Sequence, residues 1–276
     1  MTEENKPLIL IMLPTYNRPD LILRTVNSII SQNYQNFKIF IFNDGSVTSY
    51  SKLEELISGN ERVIYYKSKM NVGINKSRNF MIDYFKKINI SKNTYIFTIS
   101  DDDFLAELSL ETIADEISKH STKNWLCFNC NSLSKHIFSN NDYDKYDEIT
   151  YKKYMKNYKG DKHFVFKFNA IQNIRYPDKY FKNGFEHIYY HKIRYKIFTI
   201  PKTVKNIEYQ DDGLSVSPIY KSMGSLNNIA KHIAESPLEP TYYKWLLAYF
   251  HPKKIIKKLL TEERYYRIKK GIRLKK

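Results

Sequence analysis

Apolar and polar residues follow one another along the first half of the chain in blocks that predict a repeated order of strand and helix. Short apolar runs predict buried strands, and longer stretches with apolar residues three or four positions apart predict amphipathic helices. The predicted strands are Leu8 to Leu13, Phe37 to Phe42, Val63 to Tyr66, Tyr95 to Ile99 and Trp125 to Asn129. The predicted helices are Asp20 to Gln32, Ser51 to Ile57, Ile74 to Ile88 and Ser109 to His120. This order predicts an α/β domain with a mostly parallel sheet flanked by helices.

A distinctive polar segment follows each of four predicted strands. The segments are Pro14-Thr15-Tyr16-Asn17-Arg18, Asn43-Asp44-Gly45-Ser46, the glycine turn from Asn71 to Asn79, and Asp101-Asp102-Asp103. Open α/β sheets bind ligands outside the carboxyl ends of their strands, so we expect these segments to form one pocket. Arg18, Lys76 and Arg78 are its candidate phosphate partners, together with N–H groups at helix N-termini. The chain contains neither GxGxxG nor GxxxxGK[ST], so a Rossmann dinucleotide site or a P-loop is not supported.

The three consecutive aspartates are a candidate metal site. Three adjacent like charges repel one another, whereas Mg²⁺ or Mn²⁺ prefers oxygen ligands of this kind. The alternative is a solvated acidic turn that precedes the helix near Leu108.

Charge is concentrated at the C-terminus. The chain has 276 residues and a net charge of +16, with 45 basic and 29 acidic residues. Residues 252–276 contain eleven Lys or Arg against two acids, Glu262 and Glu263, and this surplus of nine exceeds half the net charge. Such a segment fits an anionic membrane surface, nucleic acid or a solvated helix face. No helix-turn-helix, zinc-finger or RNP pattern is visible, so nucleic acid is not the expected partner.

Other metal and targeting signals are weak. Cys127 and Cys130 form a lone CxxC inside an apolar run, which favours buried thiols in a reducing cytosol over a zinc site. His187 and His191 are four residues apart, but Glu186 precedes them rather than lying between them as HExxH requires. No apolar stretch reaches the roughly 20 residues of a membrane span, and the N-terminus lacks a signal-peptide pattern. We therefore expect a cytoplasmic protein.

The polar segments resemble, in this order, the motifs of the inverting family 2 glycosyltransferases of GT-A fold: PTYNR, (D/N)DGS, NxGxxxxRN and an aspartate cluster. Three later segments are similar to bacterial capsule and cell-surface polysaccharide members: Gly160 to Lys167, Gly184 to His187 and Glu208 to Ser215. The resemblance implies a GT-A domain over residues 1–218. A helical, basic extension over residues 219–276 would follow it.

The resemblance also implies a UDP-sugar donor, bound with Mn²⁺ or Mg²⁺, and transfer with inversion at the anomeric carbon. Asp102 is the first choice for the metal ligand, with Asp101 and Asp103 in the same site. Relatives often show D-S-D-D, and Ser100 stands at the first of those positions, so the pair of aspartates that forms the DxD motif stays open. The implied nucleotide-binding residues are Pro14, Thr15, Tyr16, Arg18, Asp44, Gly73, Asn75, Arg78 and Asp101.

Inverting transfer needs a general base that takes the proton of the attacking acceptor hydroxyl. By the resemblance, Glu186 is the first candidate, and Asp211 and Asp212 are its rivals. The alternative for Glu186 is a first-turn acid that only complements a helix dipole.

The whole pattern predicts sugar transfer to a saccharide or lipid-linked oligosaccharide in surface polysaccharide synthesis. Residues 252–276 would then bind the inner membrane face as a peripheral contact. The alternatives are a non-catalytic nucleotide-sugar or polysaccharide binding protein, which Ser100 favours, a nucleic-acid binding protein, and a sugar nucleotidyltransferase. The last would normally carry a glycine-rich loop near its N-terminus, and the segment from Leu13 to Asp20 has no glycine.

Overall fold

The computed structural model describes residues 6–88, 92–133, 142–158, 161–208 and 210. Nine strands lie in these residues: β1 (Leu8–Thr15), β2 (Phe37–Asn43), β3 (Val63–Lys67), β4 (Thr94–Thr98), β5 (Phe104–Leu105), β6 (Trp125–Ser132), β7 (Asp147–Ile149), β8 (His163–Lys167) and β9 (Ile197–Ile207). The helices of the same ranges are α1 (Pro19–Ile30), α2 (Ser51–Ile57), α3 (Ile74–Lys87), α4 (Ser109–Lys119), α5 (Tyr151–Asn157), α6 (Phe168–Ile171) and α7 (Glu186–Lys192). Every strand and helix predicted above is present, with ends shifted by a few residues.

All the strands described join one sheet with the order β3-β2-β1-β4-β8-β6-β9-β5, and β7 pairs with β9. The first four strands of this order are parallel. Beyond β4 the sheet is mixed, because β8 runs antiparallel to both β4 and β6 while β9 runs parallel to β6. The predicted α/β class is therefore confirmed, and the antiparallel strands are an addition that the regular strand and helix pattern did not indicate.

The central strand β1 explains why its sequence is almost continuously apolar. Ile9, Ile11 and Leu13 enter the core on one face of the sheet, beneath α1, α2 and α4. Leu10 and Met12 enter the core on the other face, beneath α3. Successive side chains of a strand point to opposite faces, so a strand covered on both sides needs apolar residues at every position.

Strand register brings the four polar segments to one edge. Thr15 of β1 pairs with Asn43 of β2, Asn43 pairs with Lys67 of β3, and Met12 of β1 pairs with Thr98 of β4. The loops that follow these parallel strands therefore leave the sheet side by side. None of the helices in the described ranges is long and apolar enough to cross a membrane. The predicted C-terminal extension, residues 219–276, lies outside the described residues, so its boundary stays a prediction.

Candidate active site

Asp44 joins three of the four loops. Its carboxylate accepts hydrogen bonds from the backbone N–H of Val72 at 2.7 Å and of Gly73 at 2.8 Å. Its own backbone N–H donates to the carbonyl of Thr15 at 2.9 Å. This carboxylate does not form an Asx turn within its own loop but ties the second loop to the third. Its implied role in nucleotide binding stays a prediction.

The aspartate turn faces the first loop through a charged cluster. The Thr15 hydroxyl donates to Asp101 at 2.8 Å, and the Arg18 guanidinium lies 2.9 Å from Asp102 and 3.5 Å from Asp101. Burial and the neighbouring Asp102 raise the pKa of Asp101 to about 6, although Thr15 and Arg18 counteract them. The fully solvated acidic turn considered above is wrong for Asp101 and Asp103, which are only 7% and 6% exposed.

Helix α1 fixes the backbone of this turn. The Thr25 hydroxyl lies 2.9 Å from the carbonyl oxygen of Asp101 and 2.6 Å from that of Asp103. The Arg24 guanidinium donates to the carbonyl of Asp102 at 2.7 Å and also contacts Glu208 at 2.5 Å. The single hydroxyl proton of Thr25 serves one of its two carbonyls at a time, so Thr25 and Arg24 together restrain the backbone of the turn. The sequence pattern assigned Arg24 and Thr25 only to a helix and gave no signal of this contact.

Asp103 points away from Arg18 and forms a buried ion pair. Lys205 on β9 donates to its carboxylate at 2.7 Å, and the two side chains are 10% and 8% exposed. Burial lowers the pKa of Lys205, but the Asp103 carboxylate outweighs that effect, so this pKa lies above its usual value. Sequence reasoning missed Lys205, because nothing local relates it to a residue 102 positions earlier.

The donor set at this turn fits a hard divalent cation in part. Among the residues that the structure describes, Asp101 and Asp102 share the guanidinium of Arg18, which leaves one negative charge there uncompensated when both are ionised. Asp103 fits less well because Lys205 already occupies one of its oxygens. Within the described residues, no group of three or more His, Cys, Asp or Glu side chains is arranged to hold a metal ion. The geometry thus favours Asp101 and Asp102 for the predicted metal, and the role of Asp103 as a ligand stays a prediction.

The start of α3 is clamped to the segment before α7. The amide nitrogen of Asn75, fully buried, lies 2.7 to 3.0 Å from the carbonyls of Pro177, Phe181 and Gly184. This side chain supports the loop scaffold, and its predicted contact with a nucleotide gains no support from the geometry. Gly73 has φ +92°, and a Cβ there would lie 2.4 Å from the carbonyl oxygen of Lys182. Glycine is therefore required for this close approach.

Glu186 begins α7, as predicted, and is paired with Arg78. The Arg78 guanidinium donates to the Glu186 carboxylate at 3.0 Å and lies over the ring of Tyr176, 5.0 Å from its centroid. The Glu186 side chain remains 27% exposed, whereas that of Arg78 is 7% exposed. Arg78 therefore orients the predicted base, and its predicted contact with phosphate stays a prediction. The rival bases Asp211 and Asp212 lie outside the described residues.

The remaining predicted site residues differ in exposure. Tyr16 is 44% exposed beside the pocket and free to stack, while Pro14 is buried within β1. Lys76 is exposed on α3.

Tyr50 was missed by sequence reasoning, because a tyrosine in a tyrosine-rich chain gives no signal. Its hydroxyl contacts Thr15 at 2.9 Å and accepts from the Arg18 backbone at 3.0 Å, which fixes the first loop.

The two cysteines are buried and form no disulfide, which confirms the burial predicted for them. Burial raises the pKa of Cys130 to about 12. Burial also lowers the pKa of His191 to about 4, so this imidazole is neutral at physiological pH.

Comparison with known proteins decides the family. Residues 10–181 match the model described as Glycosyl transferase family 2. The chain belongs to this family. The predicted family assignment is confirmed.

Curated relatives of this family 2 chain include bacterial glycosyltransferases. One is the putative colanic acid biosynthesis glycosyl transferase WcaA of Escherichia coli, 33% identical over 36% of this chain and 34% of the relative. Another is the GalNAc(5)-diNAcBac-PP-undecaprenol beta-1,3-glucosyltransferase of Campylobacter jejuni, 26% identical over 64% of this chain and 57% of the relative. The match therefore spans 34% and 57% of the length of these two relatives.

A solved structure shows the same fold. The crystal structure of S. aureus TarS 1-349 in complex with UDP-GlcNAc aligns with a TM-score of 0.68 and 17% identity, over 88% of this chain and 71% of that one. This similarity confirms the predicted GT-A fold.

Proposed function

We propose that this family 2 protein is an inverting glycosyltransferase that moves a sugar from a UDP-sugar to a saccharide or lipid-linked oligosaccharide acceptor in surface polysaccharide synthesis. One observation carries the proposal. Thr15, Arg18, Asp101 and Asp102 meet at the carboxyl edge of neighbouring parallel strands, where α/β sheets bind ligands. The TarS complex with UDP-GlcNAc supports the choice of donor, and the Campylobacter relative, by its name, supports a lipid-linked acceptor.

The donor half of the site neutralises and orients a diphosphate. Arg18 supplies a positive charge beside Asp101 and Asp102, and it can turn between these carboxylates and a phosphate oxygen. Asp101 and Asp102 would hold Mn²⁺ or Mg²⁺, which would stabilise the negative charge that grows on the leaving diphosphate. Tyr16 would stack on the uracil ring, because its side chain is exposed beside this cluster.

The acceptor half of the site removes a proton. Glu186 would accept the proton of the acceptor hydroxyl as its oxygen attacks the anomeric carbon from the face opposite the leaving group, which inverts that centre. Arg78 holds one carboxylate oxygen of Glu186 and leaves the other oxygen for the acceptor. Because Arg78 is buried and lies against Tyr176, it fixes the direction of that carboxylate. Asp211 and Asp212 remain the rival bases.

Calorimetric titration of UDP, with and without Mn²⁺, tests the donor site. The wild-type protein should bind UDP more tightly with Mn²⁺, and Asp102→Asn should lose that gain. Asp115→Asn, which changes an exposed aspartate on α4 in the same way, should retain it. UDP binding that ignores both Mn²⁺ and Asp102→Asn would contradict the assigned donor site.

Turnover tests the base. Glu186→Gln should lower the transfer rate by about 10²- to 10⁴-fold while UDP binding is unchanged. If only Asp211→Asn or Asp212→Asn has this effect, the base belongs to the later segment. NMR of the product should show the anomeric configuration inverted relative to the donor.

A binding protein without turnover is the second candidate. Ser100 occupies the position where relatives often carry the first aspartate, and Lys205 occupies one oxygen of Asp103. UDP binding without transfer from any UDP-sugar to any saccharide would favour this candidate.

A further inference from the structure

Strand β3 and helix α3 present an exposed aromatic pair at the edge of the sheet. Tyr66 and Phe80 stack with ring centroids 4.8 Å apart, and they are 40% and 41% exposed. Both rings also contact the buried Phe42, at 5.2 and 5.4 Å between centroids. Met70, in the loop after β3, is 69% exposed. A buried aromatic base therefore fixes this exposed apolar surface in place.

The charged side chains between Glu61 and Asp83 are all positive, and Asp83 itself is paired with Arg175. Residues 62–82 contain five basic residues and no acidic one. Lys69 and Lys76 are exposed and have no ion pair among the residues that the structure describes. Lys76 lies one helical turn before Phe80, so the two occupy the same face of α3. We call Tyr66, Lys69, Met70, Lys76 and Phe80 the edge patch.

We propose that the edge patch docks on an anionic lipid bilayer. Aromatic and methionine side chains can enter the boundary between headgroups and acyl chains, while lysines remain at the anionic headgroups. A second copy of the chain is a poorer occupant, because a two-fold interface would bring the same positive patch against itself. Lysines on an edge strand can also prevent sheet extension, but Lys69 and Lys76 lie outside β3.

The edge patch is continuous with the candidate donor site. A Cβ placed on Gly45 would lie 2.6 Å from the backbone nitrogen of Asn71, so the loop that carries Met70 packs directly on the loop of Asp44. Asp44 in turn binds the N–H groups of Val72 and Gly73. Docking through the patch would therefore hold these pocket loops at the bilayer, where a lipid-linked acceptor lies. This consequence rests on the proposed function, whereas the docking itself is tested without turnover.

A fluorescent probe locates the contact in the full chain. Met70→Cys labelled with an environment-sensitive dye should shift to shorter wavelength on vesicles of phosphatidylglycerol and phosphatidylcholine in equal parts. The native cysteines are buried, so the label goes to the new thiol. Lys52→Cys, on the exposed side of α2 and the opposite face of the sheet, is the control and should not shift. Bound protein whose label at position 70 remains in water would overturn the inference and leave residues 252–276 as the contact.

A charge-matched pair of variants measures how much the edge patch contributes to vesicle binding. Lys69→Glu with Met70→Asp should weaken partition onto these vesicles by about 10-fold, because each lysine near an anionic surface contributes on the order of 1 kcal/mol. Lys152→Glu with Met155→Asp makes the same change of charge and removes an exposed methionine on α5, so it should weaken partition by no more than about 2-fold. Equal effects of the two pairs, or no vesicle binding by the wild-type chain, would refute docking through this patch.

Sedimentation and UDP titration distinguish membrane docking from dimer formation and from failure of the proposed function. If sedimentation shows a dimer that Met70→Asp dissociates, the patch is an interface between copies and the inference is wrong. UDP titration of the same variants should be unchanged. Vesicle docking without UDP binding in the wild type would refute the proposed function and leave the docking surface intact, and UDP binding without docking would do the reverse.

Discussion

Replacement of Lys205 by Met tests the internal support of the aspartate turn. The substitution keeps an unbranched side chain, one atom shorter, and removes the charge that pairs with Asp103 at 2.7 Å. Asp103 is 6% exposed, so its carboxylate would be left buried without its cation. Loss of one partner of a buried pair costs about 3–5 kcal/mol, so the free energy of unfolding should fall by that amount. The midpoint of urea unfolding should fall by about 1 M or more.

Lys202→Met is the matched control for this prediction. Lys202 lies on the same strand and forms an ion pair of similar length, 2.8 Å to Glu116, but its side chain is 40% exposed. Glu116 also keeps a second partner, Lys119. The control should therefore lose no more than about 1 kcal/mol. Equal losses in the two variants would refute the reasoning from burial. Asp103→Asn in the Lys205→Met background should recover part of the loss, because the uncompensated charge is then gone.

Three other predictions follow from the site. The pKa of Asp101 is raised to about 6, so its contribution to stability is present below its unfolded pKa and lost as pH rises through about 6. UDP binding supported by Mn²⁺ needs the ionised carboxylate and should therefore weaken below about pH 6. In Asp101→Asn this pH dependence of UDP binding should be absent. Asn75→Ala should lower the free energy of unfolding by about 1–3 kcal/mol, measured in urea, because three buried carbonyls lose a donor; a normal stability with lost UDP binding would instead assign it to the nucleotide. Gly73→Ala should destabilise the protein in a thermal melt far more than Gly59→Ala, because a Cβ at Gly73 meets Lys182 and one at Gly59, also at positive φ, meets nothing within 4 Å.

The sequence predicts the parallel part of the fold well, for a physical reason. Strands covered on both faces are apolar throughout, and the helices between them are amphipathic, so each element carries its own signal. Strands β8 and β9, in the mixed part of the sheet, carry a weaker local signal. They pair with partners far along the chain, and β9 contains register shifts against β6 around Asn129. Pairing of this kind depends on tertiary contacts that no local pattern records.

The candidate site also contains residues that the sequence reveals and residues that it does not. Motif residues such as Thr15, Asp44 and Asp101 are found from sequence because they follow buried strands, and strand register brings them together. The residues that hold this site in place, Tyr50 and Lys205, cannot be found from the sequence, because they look like ordinary helix-flanking and strand residues. Asn75 and Arg78 also contact the protein itself, which only the folded arrangement of α3 and α7 reveals, and their nucleotide contacts stay predictions.

The structure explains how three adjacent aspartates are compatible with a stable fold. The turn separates their charges: Asp101 and Asp102 face Arg18 at the open side of the site, and Asp103 faces Lys205 in the interior. Hydrogen bonds from Thr25 and Arg24 to carbonyls of the turn restrain its backbone. Burial and, after it, the neighbouring Asp102 carboxylate raise the pKa of Asp101, and a cation bound there would relieve this repulsion. The same restraint that supports the fold would thus favour the proposed binding of a metal and a diphosphate.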